Sequence, residues 1–187
     1  AIRRQRQMCI RDSVCVTGVS LAIGVPIALF TSMFMAFYCP KKIYRLCQAA
    51  INLMAGVPSI VYGFFGLMLI VPMMNRLTGE DGSTMLTASI VLAIMILPTI
   101  IAQAETALRS VPDSYYEGAL ALGATKERSL FAVVLPAAKS GVIAGVVLGI
   151  GRAIGETMAV VMVAGNQTWM PSGLLKGVRT LTALSLI

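Results

Sequence analysis

The chain has 187 residues, of which 57% are hydrophobic and only 12% are charged, and its mean hydropathy is +0.84. Soluble domains carry about a quarter charged residues, so this composition predicts an integral membrane protein. The formal net charge is +7. The basic residues are scattered between apolar runs, however, and no basic face carries interleaved aromatic residues, which excludes a nucleic-acid partner.

The composition also argues against an enzyme. The chain has no histidine, which removes the commonest general base and metal ligand. The cysteines at positions 9, 15, 39 and 47 show no metal-binding spacing, and no glycine-rich phosphate loop of the ATP-binding type is present. We therefore predict no catalytic residue, no metal site and no nucleotide bound by the chain itself.

The N-terminal residues 1–12 stand apart from the rest of the chain. They carry four arginines and match no later pattern. The apolar run that follows is too long for a signal peptide and lacks a cleavage site. We expect residues 1–12 to be non-native or disordered, and residues 13–187 to form the membrane domain.

Four apolar runs are long enough to span a bilayer, since about 20 apolar residues cross the hydrocarbon core. In the second run a short entry helix to Ala55 is predicted to precede a span that begins near Pro58, a residue suited to a first helical turn. After Asn166 a loop with Trp169 and Pro171 leads into the start of a further span. The predicted spans are residues 14–37, 58–74, 84–102 and 137–164.

Two of these apolar runs contain several glycines. Gly141, Gly145 and Gly149 recur every four residues and share one helix face, which lets a second helix approach closely. The segment 56–63 also contains glycines, and it is predicted to be a hinge, a close helix crossing or a site of ordinary packing.

Lysine and arginine counts predict the orientation. The polar segments 39–48 and 103–137 are two spans apart and therefore lie on the same side of the membrane. Their basic residues outnumber those of the opposite loops, so we expect both segments to be cytoplasmic. The basic residues in or directly beside these two segments are Lys41, Lys42, Arg45, Arg109, Lys126, Arg128 and Lys139, against Arg76, Lys176 and Arg179 in the opposite loops.

The second polar segment predicts two short helices that meet at a glycine. Asp113 is expected to cap a helix over 114–122, Gly123 to end it, and Thr125 to cap the next one. The segment also holds more apolar contact surface than a loop needs, at Tyr115, Tyr116, Leu120, Leu122 and Leu130. By these features alone it is either a docking element or a hairpin that lies on the membrane surface without a partner.

The spacing of Glu117, Ala119 and Gly123, followed by Leu135 and Pro136, decides between these alternatives by resemblance. It resembles the cytoplasmic loop of the membrane subunits of binding-protein-dependent ABC importers, in which alanine commonly replaces Gly118 and isoleucine Val133. The resemblance implies an all-α, type I transmembrane domain in which the loop 105–136 couples to a separate ATP-binding subunit. The five spaced residues would then be the coupling contacts, and ATP with Mg would bind to the partner.

Two charges, Arg152 and Glu156, interrupt the fourth span. A charge at the centre of a span costs at least about 2.5–3.5 kcal/mol, so both side chains should face a protein interior or a wet path. Four residues apart on a helix, they could pair and merely join helices. Alternatively, Arg152 binds a passing oxyanion with its planar guanidinium, while Glu156 tunes or gates that interaction.

The string GRAIGETMA over residues 151–159, followed by Gly165 and Asn166, resembles the permease subunits of phosphate-specific ABC importers. Residues 56–63 and 178–182 resemble the C-type (PstC) more than the A-type subunit. The resemblance implies a phosphate path that includes Arg152, Glu156 and Thr157.

It also implies a multi-pass protein of the bacterial cytoplasmic (inner) membrane, a six-span subunit whose first span and most of whose last are absent here. The implied partners, besides membrane lipid and the ATP-binding subunit, are a second, PstA-like permease subunit and an extracytoplasmic phosphate-binding protein. Two alternatives stay open, namely an ABC permease for molybdate, sulfate or phosphonate, and a channel or carrier that needs no ATPase.

Overall fold

The computed structural model describes residues 2–79 and 82–164, and every regular element within these ranges is helical. The predicted tail loop and the start of a further span lie outside the described residues. A central helix, α5 (Met85–Arg109), organises the bundle and is enclosed by the others.

The first span is α1, Ile2–Met33, which continues through a π-helical turn over Phe34–Tyr38. Its apolar part, Cys9–Tyr38, is long enough to cross a membrane, which confirms the span predicted over 14–37. Because the helix begins at Ile2, the backbone of residues 2–12 is continuous with the span. That these residues are non-native stays a prediction.

The segment predicted as a loop over 39–48 is largely helical. Helix α2 spans Lys41–Gly56, so only Cys39 and Pro40 separate it from the first span. The basic residues of the segment 39–48 had indicated a loop because they are charged. However, Pro40 takes the extended N-cap conformation and no further proline or glycine interrupts the helix before its last residue.

The second span begins after Pro58, as predicted. It comprises α3, Ser59–Phe65, a π-helical turn over Gly66–Ile70, and α4, Val71–Thr78. The Tyr62 hydroxyl donates a hydrogen bond to the Met54 carbonyl at 2.7 Å and ties α3 back to α2. A Cβ at Gly63 would lie 2.8 Å from the Cα of Ala159, so this glycine marks a close helix crossing.

The third span, α5, comprises Met85–Arg109 and is N-capped by the Thr84 side chain. The most apolar stretch of α5 is 67% buried, whereas the corresponding stretches of the first two spans are 28% and 17% buried. Helix α5 is therefore the central helix. The predicted end at Ala102 is wrong by seven residues, since α5 continues to Arg109. Alanine, glutamate and leucine favour helix beyond Ala102, and the next proline after that residue is Pro112.

Two helices pack along α5 in opposite directions. Helix α1 runs parallel to it, because Val16 shares a core cluster with Leu92 and Met33 shares another with Leu108. Helix α9, Lys139–Gly155, runs antiparallel.

Gly141, Gly145 and Gly149 of α9 face α5. A Cβ at Gly145 would lie 2.9 Å from the Cβ of Gln103, and one at Gly149 would lie 2.9 Å from Ile100 Cδ1. The predicted close approach is confirmed, and its partner is α5.

The fourth span is broken rather than continuous. Ahead of α9, the segment Lys126–Ala137 lies at 71° to it. Within the described residues three helices are long and apolar enough to cross a membrane, or four if this bent pair counts as one span. The span predicted over 137–164 is interrupted a second time, because α9 ends at Gly155 and α10, Met158–Val163, begins after Thr157. Between them Glu156 adopts an extended backbone with ψ 126°.

Candidate functional site

The predicted docking segment lies at one end of the bundle. Its first helix, α6, spans Asp113–Ala121 and follows Arg109 after three residues. Tyr116 anchors α6, because its ring lies 5.9 Å from that of Phe37 on the first span and packs on the core cluster that contains Leu108. The opposite face of α6 carries no covering element within the described residues, and the side chains of Tyr115 and Leu122 are exposed there.

The ends of the two helices follow the predicted glycine turn. Gly123 has φ +83°, a left-handed conformation that glycine adopts without strain, and its N–H donates to the Leu120 carbonyl at 2.9 Å. The hydroxyl of Thr125 accepts from the Arg128 N–H at 3.4 Å, so the predicted cap of α7, Lys126–Ser129, is confirmed. The predicted cap at Asp113 is wrong, since Asp113 is the first helical residue and Pro112 takes the N-cap position.

The five predicted coupling residues are not equally accessible. Glu117, Gly123 and Pro136 are exposed, whereas Ala119 and Leu135 are half-buried. Leu135 lies in α8, Leu135–Ala137, after a π-helical turn over Leu130–Val134, and packs on the same core cluster as Tyr116. Glu117 and Gly123 are therefore available to a partner, while Leu135 helps to hold the segment on the bundle.

Arg152 lies in the last turn of α9 and reaches α5. Its Nη1 donates a hydrogen bond to Thr99 Oγ1 at 3.1 Å, and both side chains are half-buried. Thr99 was not among the predicted site residues. The available signal was a hydroxyl directly after Pro98 in an otherwise apolar stretch, where a polar side chain needs a partner.

Glu156 makes a contact that was not predicted. The expected helical pair with Arg152 is wrong, because α9 ends at Gly155 and Glu156 leaves the helix. Its Oε1 instead accepts from the Ala159 N–H at 3.0 Å and caps the start of α10. In residues 2–79 and 82–164 no ion pair joins Arg152 to Glu156.

Thr157 is the half-buried N-cap residue of α10. Glu156, its neighbour, lines a cleft to which α1 contributes Ser13 and Thr17. The structure thus places all three predicted path residues at or beside a break in the fourth span, with a guanidinium, a carboxylate and hydroxyl groups inside an apolar bundle. A helix broken at membrane depth is tolerated where it is enclosed by protein or lines a wet cavity.

Comparison with known proteins identifies similar chains. The family described as "Binding-protein-dependent transport system inner membrane component" matches residues 24–186. "Probable ABC transporter permease protein YqgH" of Bacillus subtilis (strain 168) is 39% identical over 173 residues, which are 92% of this chain and 56% of that protein. "Phosphate transport system permease protein PstC 2" of Mycobacterium tuberculosis is 37% identical over 177 residues, covering 82% of this chain and 55% of that one.

A third relative, "Phosphate transport system permease protein PstC" of Xylella fastidiosa (strain Temecula1), is 36% identical over 186 residues. The match covers 89% of this chain and 57% of that relative. The chain therefore spans a little over half the length of these relatives. These similarities confirm the predicted resemblance to ABC importer permeases.

Among solved structures, the crystal structure of an amino acid ABC transporter with histidines superposes with a TM-score of 0.64. The superposition covers 90% of this chain and 75% of that one at 18% sequence identity, so the likeness concerns the fold. The all-α transmembrane domain predicted from the sequence is confirmed.

Proposed function

The chain belongs to the family of binding-protein-dependent transport system inner membrane components, and from that premise we propose that it forms part of the membrane path for ATP-driven import of inorganic phosphate. The observation that carries the proposal is the exposed helix α6. Tyr116 anchors one face of α6 to the bundle, while Glu117 and the Gly123 turn stay accessible.

Such an arrangement suits coupling to a separate ATPase. A surface helix that only lay against lipid would have no need to expose Glu117 next to a sharp turn at Gly123. Tyr116 and Leu135 also pack the segment against the bundle. A force applied to its exposed face would therefore be transmitted to the bundle. ATP with Mg would bind on the partner, and this chain would couple to it through residues 105–136, with the exposed face of α6 and the Gly123 turn as the docking surface.

Phosphate is proposed as the cargo on two grounds. Relatives that bear phosphate transport names are 36–37% identical over most of this chain. In addition, Arg152 provides a guanidinium beside the break at Glu156 and Thr157, and the planar fork of arginine suits tetrahedral oxyanions. Arg152 would contact the anion while Thr99 holds the guanidinium in place.

The proposal includes the setting and the partners. The protein would lie in the bacterial inner membrane, with α2 and the segment 103–137 on the cytoplasmic side. It would assemble with an ATP-binding subunit, a second, PstA-like permease subunit and an extracytoplasmic phosphate-binding protein.

The coupling part is tested by copurification of the ATP-binding subunit with the wild type and with Gly123→Pro. We expect stable binding to the wild type and loss with the variant, because proline cannot adopt the left-handed conformation at φ +83°. Equal binding by both chains would contradict the docking proposal and favour a carrier that needs no ATPase.

The cargo is tested by uptake of labelled phosphate into proteoliposomes that contain the assembled transporter. We expect Arg152→Gln to abolish uptake while the subunits still assemble, because the substitution removes the charge. Arg45→Gln is the control, since Arg45 is exposed on α2. The binding protein is also exchanged in the same assay. If the wild type then takes up molybdate, sulfate or phosphonate and not phosphate, phosphate is not the cargo.

A further inference from the structure

A cluster of side chains lies where the docking segment joins the bundle, and the proposed function does not use it. Its centre is Arg109, the last residue of α5. From the sequence this arginine was predicted only to be one of the basic residues of a cytoplasmic loop. In the structure it contacts three other residues, which belong to α5, the first span and α2.

The first contact lies within α5. Arg109 Nε donates to Glu105 Oε1 at 2.8 Å, one helical turn earlier, and Glu105 is only 5% exposed. A nearly buried carboxylate needs a partner of opposite charge, because removing a charge from water is costly. The ion pair therefore fixes the direction of the arginine side chain.

The second contact crosses to the first span. Arg109 Nη2 donates to the Met35 carbonyl at 3.0 Å. Met35 lies in the last turn before the helix ends at Tyr38, where carbonyl groups lack partners within the helix. Pro40, five residues on, has no N–H to offer this π-helical turn. Arg109 thus satisfies a carbonyl that the chain itself leaves open, at the negative end of the helix.

The third contact reaches α2. The Arg109 guanidinium carbon lies 4.7 Å from the centre of the Tyr44 ring, within the range of a cation–π interaction. Side-chain hydrogen bonding to Glu105 raises the pKa of the Tyr44 phenol, and desolvation adds to this, so the hydroxyl stays neutral. One guanidinium therefore joins three helices at the same end of the bundle.

The position of the cluster suggests its role. Only three residues, 110–112, separate Arg109 from α6, and α6 also contacts the first span through Tyr116 and Phe37. A short link of this kind passes a displacement of α6 directly to Arg109. We propose that Arg109 is a positioning residue that makes the first span and α2 move with α5 when the docking helix is displaced by the ATPase.

This inference rests on the proposed coupling to an ATPase but not on the identity of the cargo, and its test is chosen accordingly. Cys47 is a half-buried free cysteine on α2, one turn beyond Tyr44. Its rate of maleimide labelling, followed by mass spectrometry in the assembled transporter, reports the movement of α2 without any transported anion. We expect ATP to change this rate in the wild type.

Three variants weaken the cluster in different ways, namely Arg109→Gln, Glu105→Gln and Tyr44→Leu. We expect each to keep the ATP-binding subunit bound and hydrolysing ATP, while the nucleotide-dependent change at Cys47 falls at least about fivefold, the lower end of typical coupling between sites. Phosphate moved per ATP should fall with it. Arg45→Gln is the matched control, because Arg45 is exposed, one residue from Tyr44, and no ion pair within the described ranges involves it.

A wild-type response at Cys47 in Arg109→Gln and Tyr44→Leu would overturn the proposal. Failure of all three variants to assemble would also overturn it, because the cluster would then be a folding element only. If the wild type shows the response at Cys47 and the variants lose it, but the wild type moves no phosphate, the proposed cargo is contradicted and the role of Arg109 is supported.

Discussion

Arg152 and Thr99 are 53 residues apart in the chain, yet a hydrogen bond of 3.1 Å joins the Arg152 guanidinium on α9 to the Thr99 hydroxyl on α5. This bond crosses the interface at which Gly145 and Gly149 let the two helices approach closely. The glycines therefore do more than pack helices, since they bring the arginine within reach of its partner on the central helix.

Thr99→Val should weaken transport through Arg152. Valine has nearly the same shape but accepts no hydrogen bond, and a bond to a charged group contributes about 1.5–3 kcal/mol. We expect the rate of phosphate uptake at saturating phosphate to fall roughly tenfold, since each 1.4 kcal/mol corresponds to about a factor of ten.

Thr106→Val on the same helix is the control for Thr99→Val. The Thr106 hydroxyl is exposed and donates only to the Ala102 carbonyl of its own helix, at 2.8 Å. Equal uptake by both variants would show that Thr99 does not position Arg152.

Substitutions at Glu156 should separate its capping role from its charge. Glu156→Gln keeps an oxygen that can accept from the Ala159 N–H, whereas Glu156→Ala removes it. Loss of a helix cap costs about 0.5–2 kcal/mol. We expect the melting temperature of the purified protein to fall for Glu156→Ala and to stay near the wild-type value for Glu156→Gln, while uptake falls in both because the charge is lost. A stable Glu156→Gln with full uptake would assign Glu156 a capping role alone.

The interface between α9 and α5 should not tolerate a larger residue at Gly145. An added Cβ would lie 2.9 Å from the Cβ of Gln103 and 3.5 Å from the Ile100 carbonyl oxygen. Overpacking of this kind costs about 1–3 kcal/mol, so we expect Gly145→Ala to lower the melting temperature.

The same change at Gly151, also on α9, serves as the control for Gly145→Ala. Among the described residues no atom of another helix lies within 4 Å of an added Cβ there, and alanine favours helix over glycine. Gly151→Ala should therefore be neutral or stabilising. Destabilisation of similar size at both positions would contradict the close packing.

The turn between α6 and α7 should depend on Gly123. A side chain at φ +83° is strained by about 1–2 kcal/mol, so we expect Gly123→Ala to weaken binding of the ATP-binding subunit about 5- to 30-fold. Binding is measured by titrating the labelled ATP-binding subunit onto reconstituted permease. Gly118→Ala is the matched control, because Gly118 lies on the exposed part of α6 with open space around it. Similar loss at both positions would show that the turn conformation is not what binding requires.

Much of the fold could be predicted because hydrophobic length is a local property. The spans over 14–37 and from Pro58 onward, the glycine stripe at 141, 145 and 149, and the turn at Gly123 followed from apolar run length, proline and glycine alone. The errors fell where local signals compete. Lys41 and Arg109 were assigned to loops because they are charged, yet both lie on helices, since a helix can continue beyond the bilayer while its side chains remain polar.

The pairing of polar side chains was not predictable in the same way. Spacing by four residues favoured an Arg152–Glu156 pair, but that spacing brings two side chains together only on an unbroken helix, and the helix ends at Gly155. Once the backbone turns at Glu156, its carboxylate reaches the Ala159 N–H, and Arg152 is left to find Thr99 across the interface.

The sequence by itself determined that the chain is a helical membrane protein and where its two short polar helices meet at a glycine turn, because composition, run length and turn residues are local properties of the chain. Only the tertiary structure decided what each charge contacts. Arg109 joins α5, the first span and α2, and Arg152 joins α9 to α5, through contacts between residues more than 50 positions apart. Such contacts depend on how the helices lie against one another, which no single segment of the chain encodes.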